Sequence, residues 1–315
     1  MNALQQEYHD ALSGMQGRDI LVIGDMVADI YLDGRISRIS REAPVLVLEQ
    51  AGEKVVAGGA ANVVNNIATL GGKVHAVGLV GSDKSADGLR AILAKNGADV
   101  RGLIADDSRP TISKTRIIAG GRATVSQQIV RIDRESKAPM APAVEAELRA
   151  YIKSILPTVE GVVISDYGSG TVTEGLQSLL IDYCQAKGIP SIVDSRYAVR
   201  RFHGIGYVKQ NDAEIAAAKG VLVTRGELGM VLVEHGAVHE IPVSDKSEVF
   251  DVSGAGDTCV AAVILALAAG VAPATAARLS NIASGIAVRK LGTSTVSVRE
   301  LAEAIEKSRE EYTSK

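Results

Sequence analysis

Two aspartates and two glycines stand in the string FDVSGAGDT, Phe250–Thr258, just ahead of an apolar run that ends at Gly270. If Gly254, Ala255 and Gly256 open a helix here, their backbone N–H groups attract an anion, helped by the helix macrodipole. Glycine also lets the backbone approach a ligand closely and take up turn dihedrals. Asp257 then falls in the first turn, beside whatever anion binds. A plainer explanation is that Asp251 or Ser253 caps the helix and the glycines only make the turn. The motif alone leaves both open.

A second glycine string, VAGGAANVVNNIATLGG, runs from Val56 to Gly72. Gly58 and Gly59 can set main-chain N–H groups against a ligand hydroxyl, with the Asn62 amide one turn further on. Ala60, Ala61 and Ala68 are better explained as a small-residue face packed on a sheet. Asn62, Asn65 and Asn66 are harder to assign to packing, because asparagine is a poor helix former that gains most when its amide meets a partner. Several other signatures do not occur. There is no G-x-x-x-x-G-K-[ST], and no G-x-G-x-x-G after the first strand, where Ile23 leads into Gly24-Asp25-Met26-Val27-Ala28-Asp29. HExxH, clustered histidines and a GxSxG elbow are also absent. P-loop, dinucleotide-dehydrogenase, zinc-hydrolase and esterase chemistries are therefore disfavoured.

The elements that must position these residues follow from hydrophobic periodicity. Short β-branched runs at Asp19–Ile23, Val74–Val80, Gly161–Ser165, Ser191–Val193 and Val221–Thr224 predict buried strands. Helical spacing at Ala60–Leu70, Ser85–Asn96, Ala143–Ile155 and Thr173–Lys187 separates them. The last part, Ala255–Ala269, Ala274–Lys290 and Val298–Tyr312, reads as helical. Such alternation predicts a mostly parallel sheet covered on both faces. Ile30–Val56 and Val100–Asp133 break the pattern with strand-like segments (VLVLEQ, TISKTRII, TVSQQIVRID), which suit a small antiparallel sheet built from insertions. One spacing is too short. Between Gly206–Lys209 and the strand at Val221 there are fewer residues than the dozen or so that a parallel crossover needs. The expectation is that a segment is missing from the chain near Ala218–Lys219.

Composition narrows the class. A chain of 315 residues, 46% hydrophobic, can bury a sizeable core. Its net charge of −3 advertises neither nucleic acid nor membrane. Two cysteines, Cys184 and Cys259, lie far apart and point to a reducing compartment. The N-terminus reads as a short polar helix rather than a signal peptide, and the run Val260–Ala269 is too short to span a bilayer. A cytoplasmic globular protein is expected.

Together, GGAANVVNNIATLG and DVSGAGDT resemble the two signatures of the ribokinase-like (PfkB) family of sugar kinases. Asp29 after the first strand, NDAE at Asn211–Glu214 and VTRGELG at Val223–Gly229 fit that family in order, so the resemblance covers nearly the whole chain. Further strings (RISREAPVLVLE, SKTRII, QQIVRID, SDYGSGTVT, KLGTSTVS) are similar to the branch acting on D-glycero-β-D-manno-heptose 7-phosphate. That enzyme is often the first half of a bifunctional protein. The HxGH-type motif of the fused nucleotidyltransferase does not occur here, so a kinase-only form is expected.

The resemblance implies an α/β fold: one ribokinase-like three-layer α/β/α sandwich over residues 1–315, with lid segments at about 30–56 and 100–133. It implies that Gly254, Ala255 and Gly256 present N–H groups to a transferring phosphoryl, and that Asp257 accepts the proton of the attacking hydroxyl. Asp29, Gly58, Gly59 and Asn62 correspond to sugar contacts. A 7-phosphate calls for cations, and Arg38, Lys114 and Arg116 are the choices in the lid segments, one of them supplied across a homodimer by the partner's lid. Asn211 and Glu214 correspond to a pair that organises Mg²⁺ largely through water, although the same spacing makes a capping box. Thr224, Gly226, Glu227 and Asn281 correspond to ATP contacts. Asp251 and Ser253, with carbonyls at Arg289–Gly292 and Ser297, correspond to a monovalent-cation site for K⁺. The partners implied are a sugar phosphate and ATP. The competing readings are a kinase of another sugar, sugar phosphate or nucleoside, and a non-catalytic sensor on the same fold.

Overall fold

The structure, a computed structural model, describes residues 3–120, 126–197, 199–211, 218–243 and 249–312. Helix α1 (Ala3–Met15) leads into β1 (Asp19–Gly24), after which the chain runs out as a long ribbon, β2 (Met26–Ile39) and β3 (Leu46–Gly59). It returns through α2 (Ala60–Thr69), β4 (Lys73–Val80), α3 (Lys84–Lys95) and the short β5 (Leu103–Ala105). A second excursion forms β6 (Ile112–Gly120) and β7 (Gln127–Arg134). Then come α4 (Pro142–Ile155), β8 (Gly161–Asp166), α5 (Glu174–Lys187), β9 (Ser191–Ser195), β10 (Tyr207–Asn211) and β11 (Gly220–Thr224). A hairpin, β12 (Met230–Glu234) and β13 (Ala237–Ile241), precedes α6 (Ala255–Ala268), α7 (Pro273–Ala287) and α8 (Val298–Tyr312).

The main sheet has the order β13-β12-β11-β10-β9-β8-β1-β4-β5. From β5 to β11 every pairing is parallel, while β12 and β13 add an antiparallel edge. Burial on both faces explains the near-continuous apolar runs of its central strands. In β1, Ile20 and Val22 join the core under α1, α2, α6, α7 and α8, and Leu21 and Ile23 join the one under α4 and α5. The sheet is thus the middle layer of a three-layer sandwich. The β12–β13 hairpin was not expected from the sequence. Its signal was the two-residue turn His235-Gly236, with φ of 48° and 80°, between alternating apolar residues.

Helix α6 is buried along most of its length: every residue from Asp257 to Ala266 is buried, and Cys259 to Ala266 belong to the core. It lies between the sheet and its neighbours α1, α2 and α7, which is why its sequence is apolar all round rather than along one stripe.

The two insertions form one four-stranded sheet in the order β3-β2-β6-β7. It is mixed rather than antiparallel: β2 pairs antiparallel with β3 but parallel with β6. Of the segment 100–133, Leu103–Ala105 belongs to the edge of the main sheet, and only the later strands build the lid. Residues 121–125 lie outside the described residues. Register puts Asp29, Tyr31, Lys114, Arg116, Arg131 and Asp133 on one face of this small sheet. Ile30, Ile117, Val130 and Ile132 share the other, on which Val130 and Ile132 are exposed. Strands β10 and β11 are parallel neighbours, Tyr207 opposite Gly220, and residues 212–217 of their short connection lie outside the described residues.

Candidate active site

The chemistry-bearing residues gather at the carboxyl ends of the parallel strands, where open α/β sheets bind ligands. Gly254 opens α6 in the left-handed region, φ 82°, and among the described residues no side chain caps the helix. Neither Asp251 nor Ser253 therefore serves as its cap. The Ala255 N–H is directed at the Val252 carbonyl at 3.3 Å, so of the three N–H groups expected to face an anion this one closes a turn instead. Asp257 is buried, with Oδ2 accepting from Asn62 Nδ2 at 2.8 Å and Oδ1 from the Tyr167 hydroxyl at 3.2 Å. Burial pushes its carboxyl up to about 7, with Asp194 adding to the rise, while Asn62, Lys209 and Tyr167 oppose it. A helix N-terminus favours an ionised carboxylate, but desolvation prevails here.

Helix α2 supplies Asn62. Its N-cap, Gly59, has φ 54°, and a Cβ there would meet the Asp25 carbonyl oxygen at 2.8 Å. The three asparagines divide by role. Asn62 reaches Asp257, Asn65 turns to Asn96, and buried Asn66 ties α2 to α6 and to the loop before α8 through Thr258, Ser294 and Val296.

Asp29, on β2, is also buried, and it is engaged by Arg116 Nη1 at 2.6 Å and by the Thr293 hydroxyl at 3.1 Å. A Cβ on Gly58 would stand 2.4 Å from the Asp29 carboxylate, so glycine is required for that approach. Arg116, expected to meet a phosphate, here pairs with Asp29 and stacks on Tyr31. Lys114 faces Asp133 at 3.7 Å, and Arg131 holds the same carboxylate. Arg38 is exposed near the tip of the ribbon, opposite Val47. It stands nine positions along the strand from Asp29, a rise on the order of 30 Å, and so lies well away from the Asp29 carboxylate.

Two clefts meet at α6. One of about 650 Å³ is polar and holds Asp166, Tyr167, Asp194, Arg196 and Lys209 together with Gly254, Gly256 and Asp257. The other, about 450 Å³, is walled by Met230, Val243, Val249, Val252 and Val288, with Thr224, Gly226, Glu227 and Asn281 around it. Asn211, Val252 and Gly256 line both, so the clefts are continuous. Thr224 donates to Asn211 Oδ1 at 2.8 Å, and Asn281 donates to the Pro242 carbonyl at 2.7 Å. Glu214 lies outside the described residues. Asp251 accepts from the N–H groups of Ser253 and Gly292. Burial works against its charge, yet these hydrogen bonds hold it below the usual range. Ser297 closes a capping box with Glu300 at the start of α8.

Lys209, Asp194, Tyr167 and Thr293 also stand at the site, and the sequence reading does not single them out. Lys209 is buried and paired with Asp194 at 2.9 Å; burial opposes its charge, and Asp194 more than restores it. A lone lysine and a lone aspartate in otherwise apolar central strands were the available signal.

The sequence matches the pfkB family carbohydrate kinases over residues 18–300. It is 42% identical to the bifunctional protein HldE of Citrifermentans bemidjiense, over 89% of this chain and 62% of that protein. With the bifunctional protein HldE of Mesorhizobium japonicum it shares 36% identity, covering 95% of this chain and 64% of the relative. The chain thus spans less than two-thirds of the length of these relatives. Among solved structures, Escherichia coli phosphofructokinase-2 in complex with substrates and products aligns with a TM-score of 0.72 at 20% identity, over 93% of this chain and 99% of that one. Arabidopsis thaliana ribokinase complexed with ribose and ATP gives a TM-score of 0.68 at 16% identity, covering 92% and 99%. The fold is therefore that of the ribokinase-like α/β/α sandwiches. The chain belongs to the pfkB family of carbohydrate kinases, phosphotransferases that act on a sugar hydroxyl.

Proposed function

We propose that this chain is an ATP-dependent kinase that phosphorylates the C1 hydroxyl of D-glycero-β-D-manno-heptose 7-phosphate to the 1,7-bisphosphate, a step toward ADP-heptose and the lipopolysaccharide inner core. The observation that carries the kinase chemistry is Asp257: a buried carboxyl pushed up to about 7, at a glycine-opened helix start, between a polar cleft and the sugar-side residues Asn62 and Asp29. The 36–42% identity to bifunctional HldE proteins and the heptose-branch strings support the substrate.

In this reading the sugar lies against Asp29, Gly58, Gly59 and Asn62, and the Arg116–Asp29 pair opens to share its guanidinium with the ligand. Asp257 takes the proton of the attacking hydroxyl as its oxygen forms a bond to the γ-phosphorus and the bond to ADP breaks. A base near neutrality suits that role. N–H groups at Gly254 and Gly256, with Lys209 nearby, stabilise charge on the transferring group. ATP lies across the two clefts, its base against the apolar walls and Asn281, its ribose and phosphates by Thr224, Gly226 and Glu227. Asn211, with Glu214, would hold Mg²⁺ largely through water. Asn211 lines the polar cleft together with Asp166 and Asp194, a set of oxygen donors that fits such a cation. Magnesium supplies charge neutralisation on the phosphates. Asp251 and Ser253 are the counterpart of a K⁺ site.

A homodimer through the lid is part of the proposal. The exposed Val130 and Ile132 on its outward face supply an apolar surface, and Arg38 would then serve the partner's site. The test is ADP release with Mg-ATP against the heptose 7-phosphate, fructose 6-phosphate, fructose, ribose and adenosine. Turnover confined to the heptose phosphate is expected. A preference for a neutral sugar or a nucleoside overturns the heptose assignment and the roles of Arg38, Lys114 and Arg116 with it.

A further inference from the structure

Asp257 is held by two hydrogen bonds that come from opposite sides of the site. Asn62 belongs to α2, but Tyr167 belongs to the loop after β8, which has no role in the mechanism so far. That loop is tightly built. Asp25, fully buried at the end of β1, accepts from the backbone N–H groups of Tyr167 at 2.8 Å, Ser169 at 3.1 Å and Thr171 at 3.4 Å. Asp166 accepts from the Gly168 N–H and from Ser195 and Arg201. The Arg196 guanidinium lies over the Tyr167 ring, 5.2 Å from its centre. The ring is therefore fixed by its own backbone and from above, and its hydroxyl meets Asp257 Oδ1.

We propose that Tyr167 is a positioning residue for Asp257, and that Asp25 acts through it. A phenol hydroxyl beside an ionised carboxylate can only donate. Tyr167 therefore fixes one oxygen while Asn62 fixes the other, leaving the remaining lone pairs aimed at the incoming hydroxyl. Asp257 faces Tyr167 after β8, Asp194 on β9 and Lys209 on β10, with neutral Asn62 on α2. The bond from Tyr167 favours the ionised form, so its loss moves the Asp257 titration to higher pH. The Tyr167 phenol is held well above its usual range, first by the Asp257 charge and then by burial, so it keeps its proton.

The inference rests on the kinase reading, and its test separates the two. In protein carrying ¹³C-labelled aspartate, the Asp257 carboxyl is titrated by NMR without substrate, in wild type and Tyr167→Phe. An upward shift in the variant is expected, and an unchanged titration overturns the proposal whatever the substrate proves to be. With the sugar phosphate that wild type uses, Tyr167→Phe is expected to lower kcat about tenfold, the scale of one hydrogen bond to a charged group. The acid limb of the kcat profile moves up with the titration. An unmoved limb overturns the proposal. Asp25→Asn, checked for folding by its thermal transition, should lower kcat, and adding Tyr167→Phe should lower it little further. Losses that multiply overturn the part assigned to Asp25.

Discussion

Two helices of this protein both begin at a positive-φ glycine, Gly59 with ψ −137° and Gly254 with ψ −3°, and end up with different work. Gly59 opens α2 and Gly254 opens α6, both at positive φ and both without a side-chain cap. Each delivers a polar side chain three residues later, Asn62 and Asp257, and the two meet at 2.8 Å. The neighbours differ. A Cβ on Gly59 would strike Val27 and the Asp25 carbonyl, which is fold-building backbone. A Cβ on Gly254 would stand 2.7 Å from Asn62 Nδ2 and 2.9 Å from Thr293, which belong to the site. A positive-φ glycine therefore sets the chain path in one place and the spacing of candidate-site side chains in the other.

The largest effect should come from the side chain that only α6 delivers. Asp257→Asn is expected to lower kcat by about 10²–10⁴-fold, the range for losing a general base, while ATP binding followed by calorimetry is retained. The same variant should gain stability relative to wild type as pH rises. A carboxyl raised from its unfolded value to about 7 binds its proton in the folded state, so wild type loses stability between those two pH values and carries the full penalty above 7. Equal urea midpoints at pH 5 and pH 8 would count against that sign.

Gly254→Ala and Gly59→Ala test the comparison directly. Each should lose stability on the order of 1–3 kcal/mol from a positive-φ backbone that L residues rarely adopt, read from urea unfolding. Gly254→Ala should also depress kcat by displacing Asn62, whereas Gly59→Ala should act mainly through stability. If both move the kcat profile alike, the distinction between the two turns is lost. Asn62→Ala tests the same contact by removing the amide outright. Its amide lowers the Asp257 titration, so removing it should move the acid limb of kcat to higher pH, and a downward move would contradict the geometry.

Much of the fold was legible because its signals are local. The apolar runs of β1, β4 and β8 and the periodicity of α2 to α5 match their structural bounds within a residue or two. The lid strands were legible as strands but not in their order, because the parallel pairing of β2 with β6 joins segments that nothing nearby in sequence specifies. The short β10–β11 connection is a separate case. An intact mass above 32.9 kDa is expected if a segment is missing from the chain there, and agreement with 32.9 kDa removes that idea.

At the candidate site, the placing of Gly58, Gly59, Asn62, Gly254, Gly256 and Asp257 beside turns and helix starts was legible from residue type and spacing, since close backbone approach needs glycine and a helix start needs partners for its N–H groups. Lys209, Asp194, Tyr167 and Thr293 were not, because a charge or a hydroxyl gains its role from what lies across space. Arg116 shows the same limit, as a cation expected for a phosphate that sits on Asp29. By itself the sequence determined which chain segments turn, which are buried and which residues have reactive types. Tertiary structure alone decided that Asp257 is desolvated enough to titrate near neutrality. That depends on water excluded by segments far apart in the chain, and desolvation is a property of the assembled core rather than of any string.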